Sequence, residues 1–361
     1  MLNFTQLLKN AVSEKASDIF IMPGLGLSLK VGGIIKSVDS DALKPDDTMQ
    51  IIKEAYAMAE REPVRLVQSG DDDFSVSVKG LSRFRISAYK QRGSWAAVIR
   101  VVPFDIPDYK DFNISEDVMA ISGKTKGLVL VTGPAGGGKS TTLACIIDQI
   151  NNTRNGHIIT LEEPIEYLHR NSKSIISQRE VRSDTEGYVP ALRAALRQSP
   201  DVILVGEMRD YETISTALTA AETGHLVIST LHSIGAANTV NRIIDVFPPS
   251  QQQQVRTQLS QLLQSVVSQK LIPTNAEKGS KLVPAFEIMH CNSAIRNMIR
   301  ENKVHQIDTV INASSTEGGM IGMDRSILKL FESGTITKAN ALAFAETPEL
   351  VKKRISLSEK K

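Results

Sequence analysis

The sequence is poor in cysteine, in aromatic residues and in net charge. Its two cysteines, Cys145 and Cys291, lie far apart and form no C-x-x-C pair, so we expect neither a disulfide framework nor a zinc site. This cysteine usage fits a reducing cytoplasm. With a formal net charge of +2 and one tryptophan, the chain offers neither the basic track nor the stacking platform of a nucleic-acid-binding protein.

Long hydrophobic runs are also absent from the sequence. No run of about 18 apolar residues occurs, and the N-terminus has no apolar core preceded by basic residues. We therefore expect neither a membrane-spanning helix nor a signal peptide, so contact with a membrane would go through a partner protein. The length of 361 residues exceeds one compact domain and favours two.

Residues 1–102 predict a small α+β domain. Phe4, Leu7 and Leu8 have helical spacing near the N-terminus, and short alternating segments typical of strands follow. Pro103 and Pro107 enclose a segment whose backbone is stiff, because each proline fixes its own φ angle. We therefore predict a linker at residues 103–112 and a second domain at residues 113–361.

The second domain has a different pattern. Apolar runs typical of strands buried on both faces alternate with helical stretches, and they lie at residues 127–131, 157–161, 202–205 and 226–231. This alternation predicts a three-layer α/β domain. A long amphipathic helix is predicted next, with an apolar stripe that continues through Leu263, Val266 and Val267. Helices are predicted at 323–332 and 338–344, and the tail after Pro348 is expected to be frayed.

Residues 133–140 satisfy the pattern G-x-x-x-x-G-K-[ST], between a predicted strand and a predicted helix. In such a loop the backbone N–H groups and the helix N-terminus bind phosphate. Lys139 provides a cation for the β- and γ-phosphates, and the Ser140 hydroxyl is a ligand for Mg²⁺. The sequence therefore predicts a site for ATP and Mg²⁺. Its predicted phosphate-binding residues are Gly133, Pro134, Ala135, Gly136, Gly137, Gly138, Lys139, Ser140 and Thr141.

Carboxylates follow two other predicted strands. Glu207 lies just beyond the strand at 202–205, and Glu162 just beyond the strand at 157–161. Because ligands of parallel sheets bind at the carboxyl ends of strands, both are expected near the γ-phosphate. Glu207 is predicted to orient the attacking water or act as a base, and Glu162 to contact a water bound to Mg²⁺. Glu163 and Glu166 either join this group or are solvated.

Two histidines flank the predicted strand at residues 226–231. His225 precedes the strand and His232 follows it, so the two cannot share one metal ion. His232, at the carboxyl end, is predicted to sense the γ-phosphate. For His225 the sequence leaves a functional role and a helix-capping role open.

Four segments together resemble the type II/type IV secretion ATPase superfamily: residues 133–141, 160–166, 200–210 and 225–232. A fifth segment, Ala-Ile-Arg-Asn-Met-Ile-Arg-Glu at 294–301, is similar to one that distinguishes the pilus retraction ATPases of that superfamily. The resemblance implies that this segment serves retraction rather than nucleotide binding. The residues of the segment predict a short helix capped by Asn292 or Ser293. The candidate functional residues of this helix are Ile295, Arg296, Asn297, Arg300 and Glu301.

The same resemblance implies a PAS-like N-terminal domain, a RecA-like C-terminal domain and a homohexamer with ATP between protomers. It implies an ATPase that drives type IV pilus retraction from the cytoplasmic face of the inner membrane, acting on a membrane platform protein of the pilus machinery. An assembly or secretion ATPase of the same superfamily is the near alternative. A nucleic-acid translocase is the alternative from another class.

An arginine must also stabilise the negative charge that develops on the γ-phosphate in the transition state. In this superfamily the N-terminal strands close over the nucleotide, so the resemblance implies candidates there: Arg83, Arg85 and Arg100. Arg85 and Arg100 are the favoured pair. Alternatives in the second domain are Arg193, Arg197 and Arg209, and each of these arginines could instead be an ordinary surface residue.

Overall fold

The computed structural model describes residues 4–102, 106–275, 281–313 and 319–358. These residues form two compact units. The first contains residues 4–102 together with Ile165–Leu168, and the second contains 106–164 and the chain from His169 onward. No helix in these ranges is long and apolar enough to cross a membrane.

The first unit is an α+β fold around an antiparallel sheet. Its strands are β1 (Asp18–Ile21), β2 (Gly26–Val31), β3 (Ile34–Ala42), β4 (Asp71–Val78), β5 (Ser82–Gln91) and β6 (Ser94–Val102). Its helices are α1 (Phe4–Ser13), α2 (Pro45–Met58) and α3 (Val64–Ser69). The six strands have the order β3-β2-β1-β6-β5-β4.

Alternation of side chains explains how this sheet forms. In β5 the buried residues Phe84, Ile86 and Ala88 alternate with half-buried polar residues, as expected for a strand with one face on a core. The helix α2 begins with Pro45 at its first turn, where a missing N–H is tolerated. The N-terminal helix and the strands predicted for this region are confirmed, and α3 is an addition that the sequence analysis missed.

The second unit is an α/β fold. Its strands are β7 (Gly127–Thr132), β8 (His157–Glu162), β9 (Ile175–Glu180), β10 (Val202–Val205), β11 (Leu226–Leu231), β12 (Leu263–Pro273) and β13 (Leu282–His290). Its helices are α4 (Glu116–Met119), α5 (Lys139–Thr153), α6 (Tyr188–Ala195), α7 (Tyr211–Glu222), α8 (Ala236–Asp245), α9 (Pro249–Leu262), α10 (Ser293–Arg300), α11 (Ile307–Ala313), α12 (Met323–Glu332), α13 (Lys338–Phe344) and α14 (Pro348–Ser358), with 3-10 turns at Ala120–Gly123 and Val304–Gln306.

The seven strands of this sheet have the order β13-β12-β7-β11-β10-β8-β9. All neighbours are parallel except β13, which is antiparallel to β12. Strand β7 is buried along its whole length: Leu128 and Leu130 pack into one core, and Val129 and Val131 into another. Helices pack on both faces of this sheet. Together with the α+β fold of the first unit, this confirms the predicted fold class, a PAS-like α+β domain followed by a RecA-like α/β domain.

The predicted long helix is wrong at its C-terminal half. Helix α9 ends at Leu262, and Leu263 begins β12. Val266 and Val267 pair with Leu130 and Val131 of β7 in the interior of the sheet. Their spacing fits a helix, but β-branched side chains also suit a buried strand, and pairing with β7 decides between the two.

The C-terminal tail was predicted to be frayed, which is also wrong. It forms α14, and Val351 and Ile355 are fully buried in a core that includes Ile272 of β12. These two apolar residues are four apart and therefore share one helix face.

The described part of the predicted linker belongs to the second unit. Ile106 and Tyr109 pack against its core, and the Cys145 thiol lies 3.4 Å from the carbonyl oxygen of Pro107. Residues 103–105 of the predicted linker lie outside the described residues. Residues from Ile106 onward group with the second unit because apolar side chains of this segment cover its core.

Candidate active site

The candidate site lies at the carboxyl edge of the parallel sheet in the second unit. Strands β7, β11, β10 and β8 are consecutive neighbours there. The phosphate-binding loop follows β7, His232 follows β11, Glu207 follows β10 after one residue, and Glu162 ends β8. The fold thus brings all four predicted features to one edge, although they come from widely separated parts of the sequence.

The phosphate-binding loop depends on its glycines. Gly133, Gly136 and Gly138 have φ angles of 141°, 72° and 82°, which residues with a Cβ rarely adopt. A Cβ on Gly133 would lie 2.2 Å from the carbonyl oxygen of Gln269, and one on Gly138 would lie 2.7 Å from its side-chain nitrogen. The loop therefore packs directly on β12.

Lys139 occupies the centre of this loop. Its side chain is buried, and its ammonium group donates hydrogen bonds to the carbonyl oxygens of Gly133 at 3.0 Å and Pro134 at 2.8 Å. These contacts hold the charge over the loop, where the backbone N–H groups of α5 begin. A cation in this position favours the binding of an anionic phosphate group.

Gln269 is a supporting residue that the sequence analysis missed. Its side-chain oxygen accepts a hydrogen bond of 2.7 Å from the Thr142 hydroxyl, and both side chains are buried. It therefore holds the first turn of α5 as well as the glycines of the loop. No sequence signal pointed to it, because the first part of its strand, β12, was predicted as a helix.

A cavity of about 560 Å³ opens beside the loop. Gly138, Thr141, Thr142 and Gln269 line one side. The rest of the lining is mainly apolar: Asp111, Phe112, Ile114, Leu271, Lys281, Leu282 and Pro284. This size is typical of cofactor sites. Asp111 and Phe112 were predicted as linker residues and instead line the cavity.

Glu207 is held by two cationic or polar partners. One of its carboxylate oxygens lies 2.6 Å from Nε of Arg209 and 2.8 Å from Nε2 of His232. The carboxylate is mostly buried, while Arg209 is largely exposed. The hydrogen bond to Glu207 raises the pKa of Arg209. Among the alternative arginines of this unit, Arg209 is therefore the one that contacts a predicted catalytic residue.

Glu162 is oriented by one residue of its own strand, β8, and by one residue of the neighbouring strand, β9. Its Oε1 accepts hydrogen bonds from the Thr160 hydroxyl at 2.6 Å and from the Gln178 amide at 3.1 Å. The adjacent Glu163 forms an ion pair of 2.8 Å with Arg182. Glu162 thus faces the candidate site in a fixed orientation, whereas Glu163 pairs with an exposed arginine.

Tyr188, the first residue of α6, lies among these carboxylates and was not predicted. A Cβ on Gly206 would lie 3.0 Å from the Tyr188 hydroxyl, so the phenol lies against the backbone before Glu207. Burial raises the pKa of Tyr188 above its usual range, and Glu163, Glu207 and Glu162 raise it further. The phenol therefore remains a protonated hydrogen-bond donor at neutral pH.

Two further candidate residues are His225 and Glu166. His225 precedes β11, at the end of the strand opposite His232, and its Nδ1 lies 3.0 Å from the carbonyl oxygen of Ala220 near the end of α7. This contact corresponds to the capping role. Glu166 is exposed and belongs to the short segment grouped with the first unit.

The favoured arginines of the first unit lie side by side. Arg85 on β5 is directly opposite Arg100 on β6, and Arg100 is opposite Asp18 on β1. Nε of Arg100 lies 3.2 Å from the Asp18 carboxylate. No ion pair is found for Arg85 within the described ranges, and Arg83 donates to the Ser77 hydroxyl at 3.0 Å. Their predicted catalytic role stays a prediction.

The segment at 294–301 forms α10, and Asn292 is its N-cap, with a side-chain oxygen 3.0 Å from the N–H of Ile295. Ile295 and Ile299 are buried. Arg296 donates hydrogen bonds of 2.7 Å to the carbonyl oxygens of Ser260 and Gln261, near the end of α9. Arg296 therefore binds its own unit.

The outward side of α10 carries other predicted residues. Asn297, Arg300 and Glu301 are exposed, and Arg300 bonds to Asn297. Glu301 forms an ion pair of 2.8 Å with Lys303. These side chains are available to a partner, unlike Arg296.

The donor set fits magnesium bound together with a nucleotide. Ser140 and Glu162 provide a hydroxyl and a carboxylate, the hard oxygen ligands that Mg²⁺ prefers. Within the described part of the chain, no three His, Cys, Asp or Glu side chains cluster as a metal site. Phosphate oxygens and water would therefore provide most ligands, as is usual for Mg²⁺ at phosphate-binding loops.

Comparison with known proteins agrees with this geometry. The family model of the type II/IV secretion system protein matches residues 2–329. The chain belongs to this family. It is 42% identical over 351 residues to a Pseudomonas aeruginosa protein described as the type IV pilus retraction ATPase PilT, covering 96% of this chain and 99% of the relative. The predicted resemblance is confirmed.

Two further matches have the same character. A Neisseria gonorrhoeae protein described as a twitching motility protein is 46% identical over 282 residues, covering 78% of this chain and 75% of the relative. A crystal structure of the pilus retraction motor PilT with bound ADP superimposes with a TM-score of 0.88. It is 44% identical, covering 98% of this chain and 100% of the solved chain.

Proposed function

We propose that the chain is a motor ATPase that hydrolyses ATP to drive the retraction of type IV pili. The observation that carries the ATPase activity is the order of groups along one sheet edge: phosphate-binding loop, His232, Glu207 and Glu162 on consecutive parallel strands. The similarity to a relative described as a retraction ATPase, at 42% identity over nearly the whole chain, supports retraction.

ATP binds with its phosphates in the loop that contains Lys139 and with its nucleoside in the adjacent cavity of about 560 Å³. Gln269 supports both regions, because it contacts Thr142 and lines the cavity. Ser140 would hold Mg²⁺ directly, and Glu162 would hold it through a water molecule. The ion, when bound, neutralises charge on the phosphate oxygens.

Glu207 orients the attacking water, and His232 contacts the γ-phosphate. The two side chains lie 2.8 Å apart, and Arg209 holds the same carboxylate oxygen at 2.6 Å. Such contacts restrict the carboxylate to one orientation, which is what positioning a water requires. Tyr188 adds a protonated donor beside the carboxylates.

Positive charge from arginine completes the proposed reaction. Arg85 and Arg100 are the first candidates, and Asp18 neutralises part of the charge of Arg100 but not of Arg85. We therefore expect Arg85→Ala to lower kcat more than Arg100→Ala. Steady-state phosphate release from both variants measures this, and equal activity of Arg85→Ala and the wild type would remove Arg85 from the mechanism.

The proposal includes a homohexamer with ATP between protomers, located on the cytoplasmic side of the inner membrane at the pilus base. There the ring acts on a membrane platform protein. Because ATP and ADP bind different conformations with different affinity, hydrolysis can move the ring between those conformations. Mass measurement in solution with and without nucleotide tests the hexamer.

Deleting the gene and counting surface pili tests the role in retraction. Loss of a retraction motor leaves excess pili, whereas loss of an assembly motor leaves none. A cell with no pili would therefore favour the alternative of an assembly ATPase. Stimulation of the ATPase by DNA would instead favour a nucleic-acid translocase.

Variants of α10 separate retraction from hydrolysis. Arg300→Ala changes an exposed residue, so ATPase activity is expected to remain while complementation of retraction fails. Arg296→Ala removes two hydrogen bonds to the end of α9, so we expect lower thermal stability as well. Normal pilus numbers with Arg300→Ala would contradict a partner surface on this helix.

A further inference from the structure

Two buried polar residues of the hairpin β12–β13 are not explained by nucleotide binding. Ser268 on β12 and Glu287 on β13 are direct cross-strand partners. Both are buried, with 0% and 5% of their surface exposed. Burying a carboxylate is unfavourable unless it gains hydrogen bonds, so Glu287 calls for a structural or functional reason.

Both residues bind the start of α8. The hydroxyl of Ser268 accepts a hydrogen bond of 2.9 Å from the N–H of Gly235, and Oε1 of Glu287 accepts one of 2.7 Å from the N–H of Ala236. The N-terminus of a helix has unpaired N–H groups and favours negative charge. Side chains from the hairpin therefore supply the cap that the N-cap residue Gly235 lacks.

The capped turn directly follows His232. Three residues separate His232 from Ala236, and Gly235 has a φ angle of 85°, which fixes a sharp turn. Within the turn, the Ser233 and Thr239 hydroxyls lie 2.8 Å apart, and Thr239 donates to the Gly235 carbonyl at 2.7 Å. The turn is thus internally bonded and attached to the sheet by Ser268 and Glu287.

We propose that Glu287 and Ser268 are positioning residues for ATP hydrolysis, which hold the turn 232–235 so that His232 stays in contact with Glu207. The inference rests on the proposed role of His232 and Glu207. The next residue along the strand, Gln269, binds Thr142, and successive side chains of a strand point to opposite faces. The strand β12 therefore supports the His232 turn on one face and the phosphate-binding helix on the other.

Substitutions at Glu287 test this assignment. Glu287→Gln keeps an oxygen acceptor for Ala236, and Glu287→Leu removes it. We expect Glu287→Leu to lower kcat about 10-fold or more, since misplacing a reacting group is costly, with the KM for ATP changed by less than about 3-fold. We expect Glu287→Gln to restore kcat to within about 3-fold of the wild type.

The matched control is Ser326→Ala. The Ser326 hydroxyl accepts a hydrogen bond of 3.0 Å from the N–H of Phe286, the neighbour of Glu287. This variant loses a comparable bond to the same strand but leaves the turn untouched, so it should keep kcat. Rates are normalised to nucleotide-binding sites so that unfolded protein does not count. An equal fall in kcat for Ser326→Ala and Glu287→Leu would overturn the proposal.

A double-mutant cycle with His232→Ala decides whether Glu287 acts through His232. If it does, Glu287→Leu has no further effect on kcat in the His232→Ala background, because coupled residues are not additive. The same 10-fold fall in both backgrounds would overturn the proposal. If Glu287→Leu does not fold, Ser268→Ala takes its place in the cycle, with an expected fall in kcat of about 3-fold.

The same variants distinguish failure of the positioning role from failure of the proposed function. A His232→Ala variant with wild-type kcat would remove His232 from the mechanism and overturn the positioning role with it. Loss of kcat in His232→Ala, together with unchanged kcat in Glu287→Leu and Ser268→Ala, would overturn the positioning role alone.

Discussion

The phosphate-binding loop and the acidic rim (Glu162, Glu163 and Glu207) belong to one sheet edge but are built in different ways. The loop is a continuous segment whose predicted phosphate-binding groups are mainly backbone N–H groups. Glycines with positive φ angles determine its shape. The rim consists of side chains at the ends of β8 and β10, and each has a partner from another segment of the chain, such as His232 for Glu207 and Gln178 for Glu162.

The comparison shows two levels of dependence on the fold. A backbone site needs its local sequence and one supporting residue, here Gln269. A side-chain site needs the correct strand order before it exists at all. Substitutions in the loop should therefore affect binding, and substitutions in the rim should affect turnover.

The largest effect is expected in the loop. Lys139→Ala removes the buried cation that donates to Gly133 and Pro134, and we expect nucleotide binding to fall below detection with no measurable phosphate release. Fluorescent nucleotide titration measures it. Lys126→Ala, at an exposed position before β7, is the control and should bind normally. Tight binding by Lys139→Ala would contradict the assignment of the loop.

In the rim, Glu207→Ala is expected to keep nucleotide binding and lose turnover. Removing a group that orients or activates water lowers kcat by about 10²–10⁴-fold. Titration and steady-state phosphate release on the same sample give both values. Glu212→Gln, at an exposed position in the first turn of α7, should behave as the wild type. Hydrolysis at the wild-type rate by Glu207→Ala would exclude its proposed role.

A smaller effect is expected when Gln269, the residue that supports the loop, is replaced. Gln269→Leu leaves the Thr142 hydroxyl without its buried acceptor, a loss of about 1–3 kcal/mol. We expect about a 10-fold weaker affinity for ATP, because 1.4 kcal/mol corresponds to one factor of ten. Gln264→Leu, near the start of the same strand, is the control. A fall in kcat without a change in affinity would place Gln269 with the rim.

The last prediction concerns stability as a function of pH and not activity. Glu287, which supports the His232 turn, is titratable, whereas Gln269, which supports the loop, is not. Burial raises the pKa of Glu287 from 4.5 to about 7. The hydrogen bond from the N–H of Ala236 and the charge of Lys270 lower this pKa, and nearby Glu346 and Asp308 raise it. Between these values the folded chain retains a proton that the unfolded chain releases. Stability therefore falls as the pH rises from 4.5 to 7 and is constant above.

Thermal unfolding of the wild type and Glu287→Gln between pH 5 and pH 8 measures this dependence. Glu287→Gln carries no titrating group, so its Tm relative to that of the wild type should increase with pH, by an amount that corresponds to at most a few kcal/mol. A difference in Tm that is the same at both pH values would mean that Glu287 titrates alike in the folded and unfolded chain.

Several features of the site were predictable because they are local in sequence. The loop at 133–140, the strands before Glu162, Glu207 and His232, and the helix at 294–301 were all predicted and are present. Others depended on distant contacts. Tyr188 and Gln269 have no motif, and only packing reveals that their polar groups face the carboxylates and the loop.

The boundary between α9 and β12 shows why pattern alone was insufficient. Leu263, Val266 and Val267 have a spacing that a helix also allows, and only pairing with β7 makes them a strand. The same holds for Arg296, a candidate residue of the helix predicted at 294–301, because only the structure shows that it binds the end of α9.

The sequence by itself determined the phosphate-binding loop, the type of fold and the candidate side chains, because glycine conformations and hydrophobic periodicity are local properties. The tertiary structure alone decided which candidates meet. Strand order placed His232 against Glu207, and the hairpin β12–β13 joined Glu287 to the turn that follows His232. Hydrogen bonds between residues far apart in sequence form only when the whole sheet is assembled.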